Sequence, residues 1–240
     1  MKEAIILAGG FGTRLQSVVS DVPKPMAPVA GKPYLVYLVQ YLKSFGVEHI
    51  VLSVGYLAEV IESYFGSEFH GIKISYSKEE TPLGTGGGIK LALEKCSSKN
   101  VVVLNGDSFF DVDLNVLFAL HKEKNAKASL GVRMVENVGR YGEVVLNDKN
   151  EIIKFSEKSD KQESGLINGG VYILTKNALV SFELNEKFSL ENDFFQKQAG
   201  KQSLYAKEFD SYFIDIGIPS EFERANKEFV DFDKVFIKKS

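Results

Sequence analysis

The chain has 240 residues, of which 44% are hydrophobic and 25% charged, a composition typical of a globular protein with a sizeable core. The formal net charge of −3 argues against a nucleic acid or a membrane surface as partner, so anionic substrates would need local cations. No apolar run approaches the ~18 residues of a membrane span. The single cysteine, Cys96, excludes an intrachain disulfide and favours a cytoplasmic location. Its apolar helical surroundings indicate a structural thiol, not a nucleophile.

The first half of the chain alternates short apolar runs with segments of helical periodicity. Predicted strands cover residues 3–7, 49–54, 72–76 and 101–104, and predicted helices cover residues 34–45, 58–65 and 86–96. This βαβα alternation is typical of an α/β protein whose mostly parallel sheet is flanked by helices.

After residue 107 the pattern becomes α+β. The predicted elements are a helix at 114–123, short strands at 126–134, 143–146, 152–155, 169–174 and 212–214, and a closing helix at 220–229. Asp148, Lys149 and Asn150 predict a hairpin turn between two of these strands. We expect a single domain over residues 1–240, in which residues 1–125 and 126–229 form two functional parts built on one mixed sheet.

A glycine-rich segment, LAGGFGTRL at residues 7–15, directly follows the first predicted strand. Glycines let backbone N–H groups approach phosphates at the carboxyl edge of a parallel sheet, and Arg14 can contact phosphate oxygens with two N–H groups. The segment is not a P-loop, because Gly12-Thr13-Arg14 lacks the Gly-Lys-Ser/Thr ending. It is not a Rossmann fingerprint either, because Leu15 stands where the third glycine belongs, and this disfavours an NAD-dependent oxidoreductase.

Ten residues later, prolines flank Lys24 in the sequence Pro23-Lys24-Pro25. The prolines fix the local backbone, and we expect them to hold Lys24 in an extended conformation where its ammonium can meet a phosphate. Alone, such a tripeptide is typical of a rigid surface turn.

Two aspartates follow predicted strands: Asp107, in Asn-Gly-Asp, and Asp215, in Asp-x-Gly. A carboxylate at the end of a central strand lies at the ligand edge of the sheet, and two carboxylates suffice for one Mg²⁺. The nearby Asp111 and Asp113 are interpreted as turn and helix N-cap residues.

The glycine motif, the Pro-Lys-Pro sequence and the later LNGD at residues 104–107 together resemble the sugar-phosphate nucleotidyltransferase family over residues 2 to about 229. The segment SVVSDVPKPMAPVAGKP at residues 17–33 is most similar to its D-glycero-α-D-manno-heptose 1-phosphate guanylyltransferases. The resemblance implies a Rossmann-like, GT-A-like sheet, Mg²⁺ as cofactor, and a nucleoside triphosphate (here GTP) and a sugar 1-phosphate as substrates. It also implies GDP-heptose for capsule or surface polysaccharide as the product.

The resemblance also assigns roles to residues. Arg14 and Lys24 would be catalytic, and Asp107 and Asp215 would bind the metal. The expected nucleotide-binding residues are Leu7, Ala8, Gly9, Gly10, Gly12, Thr13, Glu80, Gly84, Thr85 and Gly106. The expected sugar-phosphate-binding residues are Tyr141, Gly142, Glu157, Lys158, Asn168 and Gly169.

Several alternatives stay open on the sequence alone. Many members of the family have alanine where Gly86 stands, which leaves the base undecided between guanine, uracil, cytosine and thymine. Mannose 1-phosphate is the alternative sugar substrate. A non-catalytic regulator that binds sugar nucleotides is disfavoured because Arg14, Lys24, Asp107 and Asp215 are all present. Whether the chain forms a homo-oligomer is also open.

Overall fold

The computed structural model, which describes residues 2–10, 22–156, 163–179 and 185–237, is built around a mixed β-sheet. The strands are β1 (Glu3–Leu7), β2 (Pro28–Val29), β3 (Lys32–Pro33), β4 (His49–Val54), β5 (Glu68–Phe69), β6 (Ile72–Lys78), β7 (Asn100–Asn105), β8 (Ser108–Phe110), β9 (Ala128–Val135), β10 (Glu143–Leu146), β11 (Ile152–Ser156), β12 (Gly165–Thr175), β13 (Leu204–Glu208) and β14 (Phe213–Asp215). The helices are α1 (Tyr34–Ser44), α2 (Ala58–Phe65), α3 (Gly84–Leu93), α4 (Leu114–Glu123), α5 (Gln196–Gln198), α6 (Pro219–Glu228) and α7 (Phe232–Val235).

The main sheet has the order β11-β10-β12-β7-β1-β4-β6-β5, and β9 joins it by pairing with β12 and β13. Strands β7, β1, β4 and β6 are parallel, whereas β12 runs antiparallel to β7. The predicted α/β class and the mixed sheet with a parallel centre are therefore confirmed. None of the helices in the described ranges has the length and apolar character needed to cross a bilayer.

The bounds of β1, β4, α2, α4 and β10 agree with the sequence prediction, because their apolar patterns are uninterrupted. Asp113 caps α4 as expected, accepting hydrogen bonds from the backbone N–H groups of Asn115 and Val116. The Asp148 turn joins β10 to β11 as an antiparallel hairpin. The prediction missed β2, β3, β5, β8 and β13, most of which are too short to show a period.

Both faces of the sheet are covered, as the alternation of side chains along β1 shows. Ala4 and Ile6 pack into a cluster with α1, while Ile5 packs into a second cluster with Ile89 of α3. Cys96 belongs to the second cluster, and burial raises the pKa of its thiol to about 12. The interpretation of Cys96 as a structural thiol agrees with this environment.

The parallel strands end at one common edge of the sheet, where backbone hydrogen bonds tie their loops together. The N–H of Ala8 donates to the Ser53 carbonyl at 2.7 Å, and the N–H of Glu79 donates to the Val54 carbonyl at 2.9 Å. The loops after β1, β4 and β6 are thus held side by side at the edge where α/β proteins bind ligands.

The opposite edge of the sheet carries a buried carboxylate, Glu3, which is 6% exposed. It accepts hydrogen bonds from the N–H groups of Ser97, at 2.8 Å, and Ser98, and it contacts His49 Nδ1 at 3.0 Å. Burial opposes ionisation of Glu3, but the hydrogen bonds from Ser98, His49 and Ser97 outweigh it and lower the pKa to about 2.

Because this pKa lies below the ordinary value of 4.5, ionised Glu3 stabilises the fold above about pH 5. We expect Glu3→Gln to lower the free energy of unfolding at pH 7 by roughly 1–3 kcal/mol. The difference from wild type should shrink progressively as the pH falls from about 5 towards about 2. Urea unfolding at several pH values measures it. The control is Glu48→Gln, because the side chain of Glu48 makes an exposed ion pair with Lys2. A constant difference across this range would contradict the prediction.

Candidate functional site

Two strand ends bring together carboxylates that are far apart in the sequence. Asp107 follows β7, and Asp215 is the last residue of β14. Strand β14 pairs with β8 so that Asp215 lies opposite Ser108, and the N–H of Ile216 donates to the Asp107 carbonyl at 3.0 Å. The pairing of β8 with β14 therefore places the two predicted metal ligands beside each other.

The ammonium of Lys24 lies at this acidic pair. Its Nζ atom is 2.6 Å from Asp107 Oδ2 and 3.9 Å from Asp215 Oδ1, and the lysine side chain is only 14% exposed. The backbone differs from the expected extended form: Lys24–Met26 is a 3₁₀ turn, and only Pro23 before it is extended. A proline is tolerated in the first turn of a helix because its missing N–H would have no partner there.

The acidic pair suits a hard divalent cation. Both aspartates offer carboxylate oxygens, and the position of Lys24 shows that they face a common positive charge. Within the described ranges, no group of three or more His, Cys, Asp or Glu side chains could form a complete protein cage. A divalent cation held by this pair would take its other ligands from phosphates and water.

A cavity of about 410 Å³ opens beside the acidic pair. Its wall unites sequence-predicted residues from distant parts of the chain, namely Thr85, Asp107, Tyr141, Gly142, Asn168, Gly169 and Asp215. It also includes residues that the sequence analysis did not single out, among them Asn105, Ser189, Glu191 and Asn192. The last three lie in a segment with no recognised motif, so the sequence carried no signal for them.

Two hydrogen bonds within the protein hold the side-chain amide of Asn168. Its Nδ2 donates to the Tyr172 hydroxyl at 2.8 Å, and its Oδ1 accepts from the N–H of Gly170 at 3.1 Å. A Cβ at position 169 would overlap the Phe110 ring. Gly169 therefore also allows Phe110 to pack against β12. The amide of Asn168 is thus fixed in orientation, and only its second N–H and second lone pair are available to a ligand.

The predicted nucleotide loops meet at Glu79, a half-buried residue that the sequence analysis missed. Its Oε2 accepts from the N–H of Leu83 at 2.9 Å, and a Cβ at Gly9 would lie 3.2 Å from its Oε1. The overlooked signal is a carboxylate directly after β6. The predicted residue Glu80 is exposed beside it, and Gly10 is exposed as well.

Gly106 lets two strand ends approach closely. Its N–H donates to the Leu7 carbonyl at 2.9 Å, and a Cβ on it would overlap that oxygen. The Leu7 carbonyl, a candidate acceptor for a base, therefore already has one partner in the protein. The role of Gly106 in this structure is to fit against Leu7.

The amino end of α3 packs against Phe188. Gly84 has φ +75°, and the N–H of Gly86 donates to the Phe188 carbonyl at 3.0 Å. A Cβ on Gly86 would overlap the Phe188 ring, which is buried. Glycine at position 86 thus has a structural cause: it makes room for an aromatic ring from a distant segment.

Five predicted site residues lie outside the described ranges: Gly12, Thr13, Arg14, Glu157 and Lys158. Their assigned roles stay predictions.

We expect Gly86→Ala to lower the free energy of unfolding by about 1–2 kcal/mol, although alanine is the better helix former, because the added methyl overlaps Phe188. In a Phe188→Ala background the same substitution should be neutral or stabilising. Chemical denaturation of the four proteins in this cycle measures the coupling. Equal effects of Gly86→Ala in both backgrounds would show that the contact carries no strain.

Comparison with known proteins finds close relatives of this chain. A curated D-glycero-alpha-D-manno-heptose 1-phosphate guanylyltransferase from Aneurinibacillus thermoaerophilus is 48% identical over 226 residues, 94% of this chain and 97% of the relative. The enzyme of the same name from Campylobacter jejuni subsp. jejuni is 48% identical over 220 residues, 92% of this chain and 96% of the relative.

The crystal structure of HddC from Yersinia pseudotuberculosis complexed with GMP-PN is 36% identical to this chain. It superimposes with a TM-score of 0.83 and covers 95% of this chain and 100% of HddC. The family model for nucleotidyl transferases matches residues 3–231. This chain therefore belongs to the nucleotidyl transferase family.

Proposed function

We propose that this enzyme transfers GMP from GTP to D-glycero-α-D-manno-heptose 1-phosphate, forming GDP-heptose and releasing pyrophosphate. The observation that carries the reaction class is the cluster of Asp107, Lys24 and Asp215 at the edge of a cavity of about 410 Å³. The choice of guanine and heptose rests on the 48% identity to the two curated heptose 1-phosphate guanylyltransferases.

In the proposed reaction, an oxygen of the sugar 1-phosphate attacks the α-phosphorus of GTP, and pyrophosphate leaves. A phosphate monoester has a second pKa near ~6, so this nucleophile is largely ionised at neutral pH and needs no general base. The difficulty is electrostatic, because two polyanions must meet.

Lys24 and a metal ion held by the two aspartates would reduce this electrostatic repulsion. The Lys24 ammonium turns from Asp107 to the transferring phosphoryl group and donates hydrogen bonds to its oxygens, together with Arg14. Asp107 and Asp215 would hold Mg²⁺, which when bound supplies positive charge to the triphosphate and the departing pyrophosphate. Gly217 keeps this arrangement open, since a Cβ there would lie 2.5 Å from Lys24 Nζ and 2.8 Å from Asp215 Oδ1.

The remaining assignments are those that the family resemblance implies. The nucleotide would contact the loops at residues 7–13 and 80–85 and the turn at Gly106. The sugar phosphate would contact residues 141–142, 157–158 and 168–169. We place the reaction in the cytoplasm, where the single cysteine stays reduced, and assign its product to the synthesis of a capsule or other surface polysaccharide.

We expect turnover to be abolished by EDTA and restored by Mg²⁺. Asp107→Asn should lower kcat at least ~100-fold, because it removes one charged ligand of the metal. Pyrophosphate release with GTP and the heptose 1-phosphate is the measurement. Asp210→Asn, at an exposed aspartate, is the control and should retain wild-type turnover. Full activity of Asp107→Asn, or full activity in EDTA, would exclude the proposed metal site.

The substrate pair is tested by measuring kcat/KM for GTP, CTP, UTP and dTTP, each with heptose, mannose and glucose 1-phosphates. We expect GTP and the heptose 1-phosphate to be preferred. Mannose 1-phosphate should lose about 1–3 kcal/mol of transition-state stabilisation, because it lacks the extra carbon and hydroxyl of the heptose and would leave part of the pocket unfilled. A preference for a pyrimidine triphosphate or for mannose 1-phosphate would overturn the substrate assignment and leave the reaction class intact.

A further inference from the structure

The cavity contains a third carboxylate, Glu191, whose surroundings differ from those of Asp107 and Asp215. The two aspartates lie within 4 Å of the Lys24 ammonium, at 2.6 and 3.9 Å. Glu191 has no ion pair among the described residues. It is instead held by two hydroxyl groups: Thr85 Oγ1 donates to its Oε2 at 2.9 Å, and Ser189 Oγ donates to the same oxygen at 3.2 Å.

This arrangement leaves the other oxygen of Glu191, Oε1, without a donor from the described residues. The next residue, Asn192, also lines the cavity, and its Oδ1 is a buried acceptor that lacks a partner in the described part of the chain. Of these two neighbouring acceptors, Asn192 Oδ1 is buried, whereas Glu191 is a partly buried residue. A buried acceptor without a donor is costly, so a ligand that supplies O–H or N–H groups would gain from binding here.

The charge of Glu191 indicates which part of a ligand lies against it. A carboxylate can only accept hydrogen bonds and repels phosphate oxygens, so the phosphates belong at the Lys24 side of the cavity. The donors available in the substrates are the hydroxyl groups of the sugar and the ribose hydroxyl and guanine N–H groups of the nucleotide. Tyr141, Gly142 and Asn168, the predicted sugar-phosphate residues, line the same cavity as Glu191, and this favours the sugar.

Building on the proposed function, we propose that Glu191, with Asn192, accepts hydrogen bonds from sugar hydroxyls of the sugar 1-phosphate and is a specificity-determining residue for the sugar. Thr85 fixes the carboxylate from the amino end of α3, and its own Oγ1 accepts from the N–H of Leu190 at 2.9 Å. The sugar-reading carboxylate is thus positioned by the loop that carries the nucleotide.

The rival explanation is that Glu191 only links its segment to Thr85 and does not contact the sugar. Two variants distinguish this structural role from the proposed sugar-binding role. Glu191→Gln keeps an oxygen for Thr85 and Ser189 but presents an N–H group to the cavity, so the link survives while the acceptor becomes a donor. Thr85→Val removes the link and keeps the carboxylate. Glu186→Gln, at an exposed glutamate of the same segment, is the matched control.

The experiment measures pyrophosphate release by the full chain with GTP and with the heptose, mannose and glucose 1-phosphates, together with thermal unfolding. We expect Glu191→Gln to raise KM for the preferred sugar 1-phosphate roughly 10- to 100-fold, as expected for lost hydrogen bonds to a charged group. KM for GTP and the Tm should stay near wild type. The ratio of kcat/KM between the best and the worst sugar 1-phosphate should fall at least about tenfold.

The inference is overturned if Glu191→Gln leaves the sugar KM and the sugar ratio unchanged, or if it raises both KM values equally while lowering the Tm as Thr85→Val does. If wild type prefers another substrate pair, the comparison is made with that pair, and only the substrate assignment falls. If wild type releases pyrophosphate with no nucleotide and sugar 1-phosphate pair, the proposed function fails and this inference fails with it.

Discussion

Two carboxylates placed side by side repel each other unless a cation lies near both, and this constraint organises the whole site. The antiparallel pairing of β8 with β14 places Asp215 beside Asp107. Lys24, on a 3₁₀ turn after Pro23, supplies the compensating charge at 2.6 Å from Asp107. The same geometry explains how a protein with a net charge of −3 can receive phosphates: the positive charge is local and displaceable.

The close approach of strand ends is the second requirement. Gly106 fits against the Leu7 carbonyl, and Gly9 fits against Gly55 and Glu79. A Cβ at Gly106 would overlap the Leu7 carbonyl and force the strand ends apart, whereas a Cβ at Gly9 would lie 3.2 Å from Gly55 N and Glu79 Oε1 and require a small shift. The glycines thus contribute the shape of the site, whatever contact their N–H groups make with a nucleotide.

The carboxylates that line the cavity have different partners. Asp107 and Asp215 in its wall face the Lys24 ammonium, whereas Glu191 is held by hydroxyl groups, and Oδ1 of Asn192 has no partner among the described residues. A ligand with a phosphate at one end and hydroxyls at the other would bind in a single orientation. Because Phe188 and Thr85 join the segment of Glu191 to α3, a change at the amino end of α3 would also move this wall of the cavity.

The sequence by itself determined the α/β class, the bounds of β1, β4, α2, α4 and β10, and the family. Apolar periodicity and the positions of glycine and proline are local signals that need no tertiary contact to be recognised. It also located Asp107, as a carboxylate after a buried strand, and the resemblance predicted that Asp215 joins it at one metal. The tertiary structure alone decided that the pairing of β8 with β14 brings them together, that Gly86 faces Phe188, and that Glu191 lines the cavity and bonds to Thr85. These contacts join residues about 100 positions apart, and their formation depends on how strands pair and helices pack, which leaves no periodic or compositional trace at either residue.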